Sequence, residues 1–150
     1  MRRTKTKSLL FLSLLLLGAG LSAQSGGGSN RNPLVGAWKL VFLEQAAADG
    51  QLHKADCAGM FVFTNDGKAS VQVMYRTPQT GSAYAQGGYE ASYGSYTVND
   101  SSTFTFHIEG ALVRTLIGKE LKRAYQISGN RLTVKSTDQN ERWRVVWERY

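Results

Sequence analysis

Cysteine, histidine and proline are scarce in this chain, whose 150 residues include one cysteine, two histidines and two prolines. A lone cysteine excludes an intramolecular disulfide scaffold. Two histidines without a C-x-x-C or H-x-x-x-H pair provide no metal-ligand spacing, so we expect no metal site and no cofactor. Hydrophobic residues make up 42% of the chain, which is too high a fraction for a disordered protein. The fold must therefore rest on an ordinary hydrophobic core.

Helical periodicity is also lacking, since no heptad, no fixed repeat and no 3.6-residue apolar stripe is visible. No serine lies in a G-x-S-x-G elbow, which argues against acyl-transfer hydrolysis. The sequence instead predicts eight strands separated by turns, with Asn65, Asp66 and Gly67 as the strongest hairpin signal. The strands are residues 35–45, 59–64, 68–76, 91–98, 103–110, 120–127, 131–137 and 142–149. Cys57 lies in a polar loop after the first of these strands, and its role stays open.

The N-terminus has the layout of a secretory signal peptide. Four basic residues precede an apolar run from Ser8 to Leu21, and small residues lead to a cleavage site after Ala23. An uncleaved anchor is the alternative, but the run is shorter than the roughly 20 residues that span a bilayer. We predict a signal peptide at 1–23, a flexible glycine-rich linker at 24–32 and one domain at 33–150. The protein is then secreted or periplasmic, with no stable membrane insertion after cleavage.

Much of the positive charge belongs to this N-terminal segment. The full chain carries 18 basic and 11 acidic residues, so removing four basic ones lowers the net charge from +7 to +3. A mildly basic, evenly mixed surface is not typical of nucleic-acid binding. We therefore expect no nucleic-acid partner.

Sequential strands without crossover helices leave either an antiparallel sandwich or an up-and-down barrel. Alternation favours the barrel, because the last strand puts Trp143, Val145 and Trp147 on one face and mostly charged residues on the other. A closed eight-stranded barrel has no exposed edges, and its interior is either filled by side chains or holds one small ligand.

Several blocks occur in an order and spacing that resemble the bacterial lipocalin-like domain family, within the wider lipocalin and calycin group. They are LVGAWKLV (34–41), FTNDGKASVQVMY (63–75), YGSYTV (93–98), HIEGAL (107–112) and VWER (146–149). The resemblance implies an all-β, eight-stranded antiparallel up-and-down barrel. It also implies a structural barrel floor in which Arg149 packs across the ring of Trp38, beside Gly36. The disulfide and the further motifs of carrier lipocalins are not visible, so the resemblance transfers no ligand class.

Five residues are our candidates for contacts with a ligand in the barrel. Arg123 is the best supported, because alternation places it on the apolar face of its strand, where a guanidinium needs a carboxylate or a ligand anion. We expect it to receive any acidic head group. The candidate ligand-binding residues are Met74, Tyr93, Arg123, Tyr125 and Trp143.

The orientation of His107 and Glu109 stays open. Alternation with Phe104, Phe106 and Ile108 puts them outside the barrel, but a bulge near Gly110 would reverse that parity. The question matters because an inward His107 or Glu109 provides a general base for an enzyme.

A second open question concerns the long connection between the third and fourth predicted strands. It is rich in glycine and tyrosine, and we expect it either to fold over a ligand at the barrel mouth or merely to cover the rim.

We expect a non-catalytic protein that binds a small hydrophobic or amphipathic molecule. The alternatives are an isomerase or cyclase that uses Arg123 to stabilise negative charge, and a structural barrel with a filled interior. The sequence does not predict the oligomeric state.

Overall fold

The computed structural model describes residues 32–77 and 83–150. The predicted signal peptide, and the predicted linker up to residue 31, lie outside the described residues. The described chain is all-β apart from a single 3₁₀ turn at Arg114–Leu116. Its strands are β1 Gly36–Ala46, β2 Leu52–Ala55, β3 Cys57–Phe63, β4 Lys68–Tyr75, β5 Tyr89–Val98, β6 Thr103–Ala111, β7 Glu120–Ser128, β8 Arg131–Ser136 and β9 Trp143–Arg149. No helix in these ranges is long and apolar enough to cross a membrane.

The strands form one closed antiparallel barrel. From β3 onward each strand pairs with the next, and β9 returns to β1, where Trp38 faces Arg149 and Gln45 faces Trp143. Both β2 and β3 pair with β1 and are separated only at Asp56, so together they occupy one position in the barrel. The predicted eight-stranded antiparallel barrel is therefore confirmed.

The second strand begins earlier than its sequence predicts. Residues 52–55 and 57–58 were expected in a polar loop, but they extend this strand, and residues 52–55 pair with residues 43–46 of β1. The side chains of Leu52, His53 and Lys54 are exposed, so no burial imposes an alternating pattern on them. This segment is held in the sheet by its backbone pairing with β1. Such pairing does not depend on which side chains are present, so it leaves no recognisable pattern in the sequence.

Aromatic side chains fill the lower half of the barrel. Phe61 and Phe63 have ring centroids 4.1 Å apart, and Phe104 meets Phe63 edge-on at 5.5 Å. Phe63, Phe104 and Leu132 are almost completely buried. Offset and edge-to-face contacts of this kind add to the free energy gained by removing the rings from water. The filled lower half restricts the open volume to the upper half.

The floor of the barrel is built around Trp38, which is fully buried. The guanidinium of Arg149 lies 4.2 Å from the centre of the indole ring, and it donates hydrogen bonds to the carbonyl oxygens of Val35 at 2.8 Å and Pro33 at 2.6 Å. Gly36 lies beneath this group with φ +137°, and a Cβ atom there would be 2.6 Å from Arg149 Nη1. Glycine thus permits both the backbone conformation and the close approach of the arginine.

Candidate functional site

A cavity of about 380 Å³ lies above this floor and opens at the end of the barrel where β1 ends and β9 begins. Its volume is at the lower end of the roughly 300–1,000 Å³ that is typical of ligand pockets. The walls are mainly apolar and aromatic: Leu43, Phe61, Val71, Val73, Tyr75, Phe104, Phe106, Leu121, Trp143, Val145 and Trp147. Polar side chains are concentrated in two groups, one at the mouth and one on the β4–β5 wall.

The mouth is crossed by a hydrogen-bonded network that we call the mouth network, made of Tyr84, Arg123, Ser136 and Glu141. Arg123 Nη2 donates to the Tyr84 hydroxyl at 2.9 Å, and that hydroxyl donates to Glu141 Oε1 at 2.6 Å. Ser136 donates to Glu141 Oε2 at 2.7 Å, and Arg123 Nη1 lies 3.4 Å from the same oxygen. Tyr84, from the connection after β4, is thereby tied to β7 and to the β8–β9 loop.

The charges of the mouth network compensate one another. Burial raises the pKa of the Glu141 carboxyl, but hydrogen bonds from Tyr84 and Ser136 and the charge of Arg123 outweigh it, so that this pKa lies below its ordinary value. Burial also raises the pKa of Tyr84 to about 12, with Arg123 opposing the shift, so the phenol stays protonated at neutral pH. Arg123 is only 8% exposed, and Glu141 is the carboxylate that a buried guanidinium requires.

Removing the Tyr84 hydroxyl is expected to destabilise the fold. Tyr84→Phe leaves Arg123 and Glu141 each without one hydrogen bond in a partly buried site, and hydrogen bonds to charged groups contribute about 1.5–3 kcal/mol. We expect the free energy of unfolding in urea to fall by about 1–2 kcal/mol, given partial solvent access. The matched control is Tyr89→Phe, whose hydroxyl bonds Gln72 on the exposed surface. Equal losses in the two variants would contradict a special role for the mouth network.

A second polar group, which we call the β4–β5 wall, consists of Tyr75, Glu90 and Ser92. Val73 faces Glu90 and Val71 faces Ser92 across the two strands, so these side chains share the inner face. Tyr75 is the diagonal neighbour of Glu90, and diagonal neighbours on one face are within reach of long side chains. Within the described ranges, none of the three side chains makes a hydrogen bond or ion pair with the protein, although all three line the cavity.

The electrostatics of this wall differ from those of the mouth. Burial raises the pKa of Glu90 from 4.5 to about 7, and the charge of Arg123 only partly opposes that shift. Burial raises the pKa of Cys57 to about 11, with the negative charges of Asp56 and Glu90 adding to it. The Cys57 thiol is therefore protonated at neutral pH, which argues against a reactive cysteine.

The structure brings two of the predicted contact residues into the cavity wall. Arg123 and Trp143 both line it, and Arg123 lies 5.0 Å from the centre of the Trp143 ring. Tyr125 also points inward, but it packs against Phe104 at 5.9 Å and donates to the Asp100 carbonyl at 3.3 Å, so it is not among the lining residues.

Met74 and Tyr93 lie on the outer face, with 60% and 58% of their surfaces exposed, and this corrects their predicted position. Val73 and Tyr75 point inward, so alternation sends Met74 outward. The Tyr93 ring covers Gly110 on the neighbouring strand, where an added Cβ would lie 2.4 Å from the ring. Tyrosine over a cross-strand glycine replaces the side chain that the glycine lacks.

His107 and Glu109 also lie outside the barrel. Glu109 accepts a hydrogen bond from Lys68 at 2.9 Å, and His107 Nδ1 lies 3.2 Å from Glu120. A register shift does occur near Gly110: Tyr93 pairs with Gly110 and Gly94 with Ile108, so Glu109 is the extra residue on β6, but the shift does not bring either side chain inward. Among the described residues, no group of three or more His, Cys, Asp and Glu side chains is placed to hold a metal ion.

Sequence reasoning missed Glu90 and Glu141, and it indicated Tyr84 only as one of several tyrosines in the connection that was expected to fold over a ligand or cover the rim. Glu90 could have been found by alternation, because Ser92 and Tyr96 are inward residues of the same strand. Glu141 and Tyr84 belong to loops, where no periodicity shows which way a side chain points. The connection between β4 and β5 was expected either to fold over a ligand or to cover the rim. Its residues 78–82 lie outside the described residues, while Tyr84 from the same connection lines the cavity.

Comparison with known proteins yields a family match. The profile of a family described as lipocalin-like domain matches residues 35–150. A search of curated proteins found no match. A solved structure, a lipocalin-like protein from Bacteroides uniformis, is similar with 16% sequence identity, 78% of this chain and 98% of that chain covered, and a TM-score of 0.48. The family match includes every strand of the barrel.

Proposed function

Because this chain belongs to the lipocalin-like domain family, whose barrel fold in general binds ligands, we propose that it binds a small, largely apolar ligand in its cavity and that it is an exported protein. The observation that carries the proposal is the cavity of about 380 Å³ between the filled floor and the mouth network. A structural barrel with a filled interior has no such volume. Export is supported by the basic and apolar pattern of residues 1–23.

The aromatic walls favour the apolar part of a ligand. Burying apolar ligand surface against Phe106, Trp143 and Val145 is favourable by about 25 cal/mol per Å² removed from water. Tyr84 and Trp143 pack edge-to-face near the mouth, with ring centroids 6.3 Å apart, and together they form an aromatic surface at the entrance. The mouth network then holds the residues at the entrance in place. Within it Arg123 positions Tyr84 and Glu141 and does not bind an acidic head group.

The catalytic alternative loses its named general bases. It required His107 or Glu109 in the cavity, and both lie on the outer face in contact with Glu120 and Lys68. Arg123 was to stabilise developing negative charge, but its own charge is already compensated by Glu141. A binding protein is therefore the better supported proposal.

Native mass spectrometry of the protein purified from its own host tests both parts of the proposal. We expect a mass that lacks about the first 23 residues, and a second species that carries one small molecule, which extraction then identifies. A full-length mass would contradict removal of a signal peptide. A protein that is empty and also fails to bind fluorescent apolar probes would contradict ligand binding.

Two adjacent positions on β4 provide the matched control. Val73 points into the cavity and Met74 points to solvent. Val73→Phe adds a ring to the cavity wall and should reduce occupancy by at least ten-fold, whereas Met74→Phe should leave occupancy unchanged. Circular dichroism of both variants verifies that they fold. Equal occupancy in two folded variants would place the ligand elsewhere.

A further inference from the structure

The polar groups of the β4–β5 wall have no hydrogen-bond partner in the part of the chain that the structure describes. Tyr75 is 6% exposed and Ser92 is 7% exposed, and Glu90 lies between them on the inner face. Buried polar groups in folded proteins nearly always have partners. Among the described residues these three adjacent side chains have no hydrogen-bond partner, and all of them line one cavity, so a ligand held there can supply their partners.

When Glu90 is ionised this wall carries a negative charge, which Arg123 opposes only in part and which no ion pair among the described residues neutralises. Arg123, the buried cation of the cavity, is already engaged by Glu141 and Tyr84. Arg142 lines the exposed rim, where solvent screens its charge. An ionised Glu90 therefore leaves one unpaired negative charge in a largely apolar enclosure, which is costly unless a cation pairs with it.

The surrounding aromatic rings also suit a cation. Tyr75 and Trp147 line the same cavity as Glu90, whereas the Trp143 ring is already covered by the Arg123 guanidinium at 5.0 Å. The faces of such rings carry negative electrostatic potential and attract ammonium groups, most strongly where water is excluded. Carboxylate, hydroxyl and ring faces together form the kind of environment that accepts a protonated nitrogen.

We infer that the ligand is an amphipathic amine, whose protonated nitrogen pairs with Glu90 and donates hydrogen bonds toward Tyr75 and Ser92 while its apolar part fills the aromatic cavity. This inference rests on the proposed binding function and specifies its substrate class. An ammonium group supplies three donors, which matches one carboxylate and two hydroxyl oxygens as acceptors.

Titration calorimetry with octylamine, octanol and octanoate tests the inference, because these ligands share one chain and differ only in head group. We expect octylamine to bind the wild-type protein at least ten-fold more tightly than octanol, and octanoate to bind most weakly. Glu90→Gln should abolish the preference for the amine while leaving the affinity for octanol unchanged.

Glu109→Gln is the matched control, because Glu109 pairs with Lys68 on the outer face. It should retain the full preference for octylamine. Equal affinities for the three ligands, a preference for octanoate, or an amine preference that survives Glu90→Gln would overturn the inference while leaving ligand binding intact. Failure of all three ligands and of an apolar fluorescent probe would overturn the proposed function as well.

Discussion

Trp38→Ala is expected to lower the free energy of unfolding by about 3–5 kcal/mol, the range for truncating a large buried aromatic residue. Trp38 is fully buried, its Nε1 atom donates to the Leu34 carbonyl at 2.7 Å, and its ring supports the Arg149 guanidinium. The variant therefore loses core contacts, one buried hydrogen bond and the surface on which Arg149 packs. For a domain of this size the melting temperature should fall by roughly 10–20 °C.

Two further variants identify the source of this loss. Arg149→Lys keeps the charge but cannot donate to Val35 and Pro33 together from a planar group, so a smaller loss is expected. Val41→Phe changes an exposed position on β1 and should leave stability nearly unchanged. A melting temperature for Trp38→Ala within a few degrees of that of the wild type would show that the floor does not support the barrel.

The barrel could be predicted from the sequence because one face of most strands is buried. On β4, Ala69, Val71 and Val73 alternate with more exposed residues, and on β6 Phe104 and Phe106 do the same. Burial of one face imposes a two-residue period on the side chains, and that period identifies both the strand and its inner face. β2 lacks such a face, and it is the segment that was predicted as a loop.

The cavity was harder to predict because its polar members break the same pattern. Arg123 was placed correctly, since its neighbours on β7 alternate clearly, with Tyr125 on the same inner face. Tyr93 was misplaced because β5 carries tyrosines on both faces, and only the Gly110 opposite Tyr93 explains the outward one. The Tyr84 and Glu141 contacts join a connection and a loop 57 residues apart in sequence, and no local pattern encodes such a contact.

The two polar groups of the cavity have opposite consequences for stability. The mouth network is internally satisfied, so breaking it by removing one member destabilises the fold. Glu90 has no hydrogen-bond or ion-pair partner within residues 32–77 and 83–150, so removing its charge relieves a cost in the folded state. Binding sites commonly retain groups that the fold alone would not favour, because the ligand satisfies them.

Glu90→Gln is accordingly expected to stabilise the unliganded protein, mainly at neutral to alkaline pH. Burial raises the pKa of Glu90 from 4.5 to about 7, so the folded state binds more protons than the unfolded state between these values. Stability of the wild type therefore falls as pH rises through this window, by about 1.4 kcal/mol for each unit of pKa shift. Glutamine does not ionise, so the gain from Glu90→Gln should be about 2–3 kcal/mol larger at pH 8 than at pH 5, measured by urea unfolding.

The other groups that act on Glu90 do not reproduce this pH dependence. Arg123 on β7 stays charged throughout the window, and the raised pKa values of Cys57 on β3 and Tyr75 on β4 keep both protonated below pH 8. Glu109→Gln, the same substitution on the outer face, should cost stability slightly, because Lys68 lowers the pKa of Glu109 and that pairing is lost. If Glu90→Gln and the wild type differed equally at pH 5 and pH 8, the carboxyl would not be desolvated, and the need for a cationic ligand beside it would disappear.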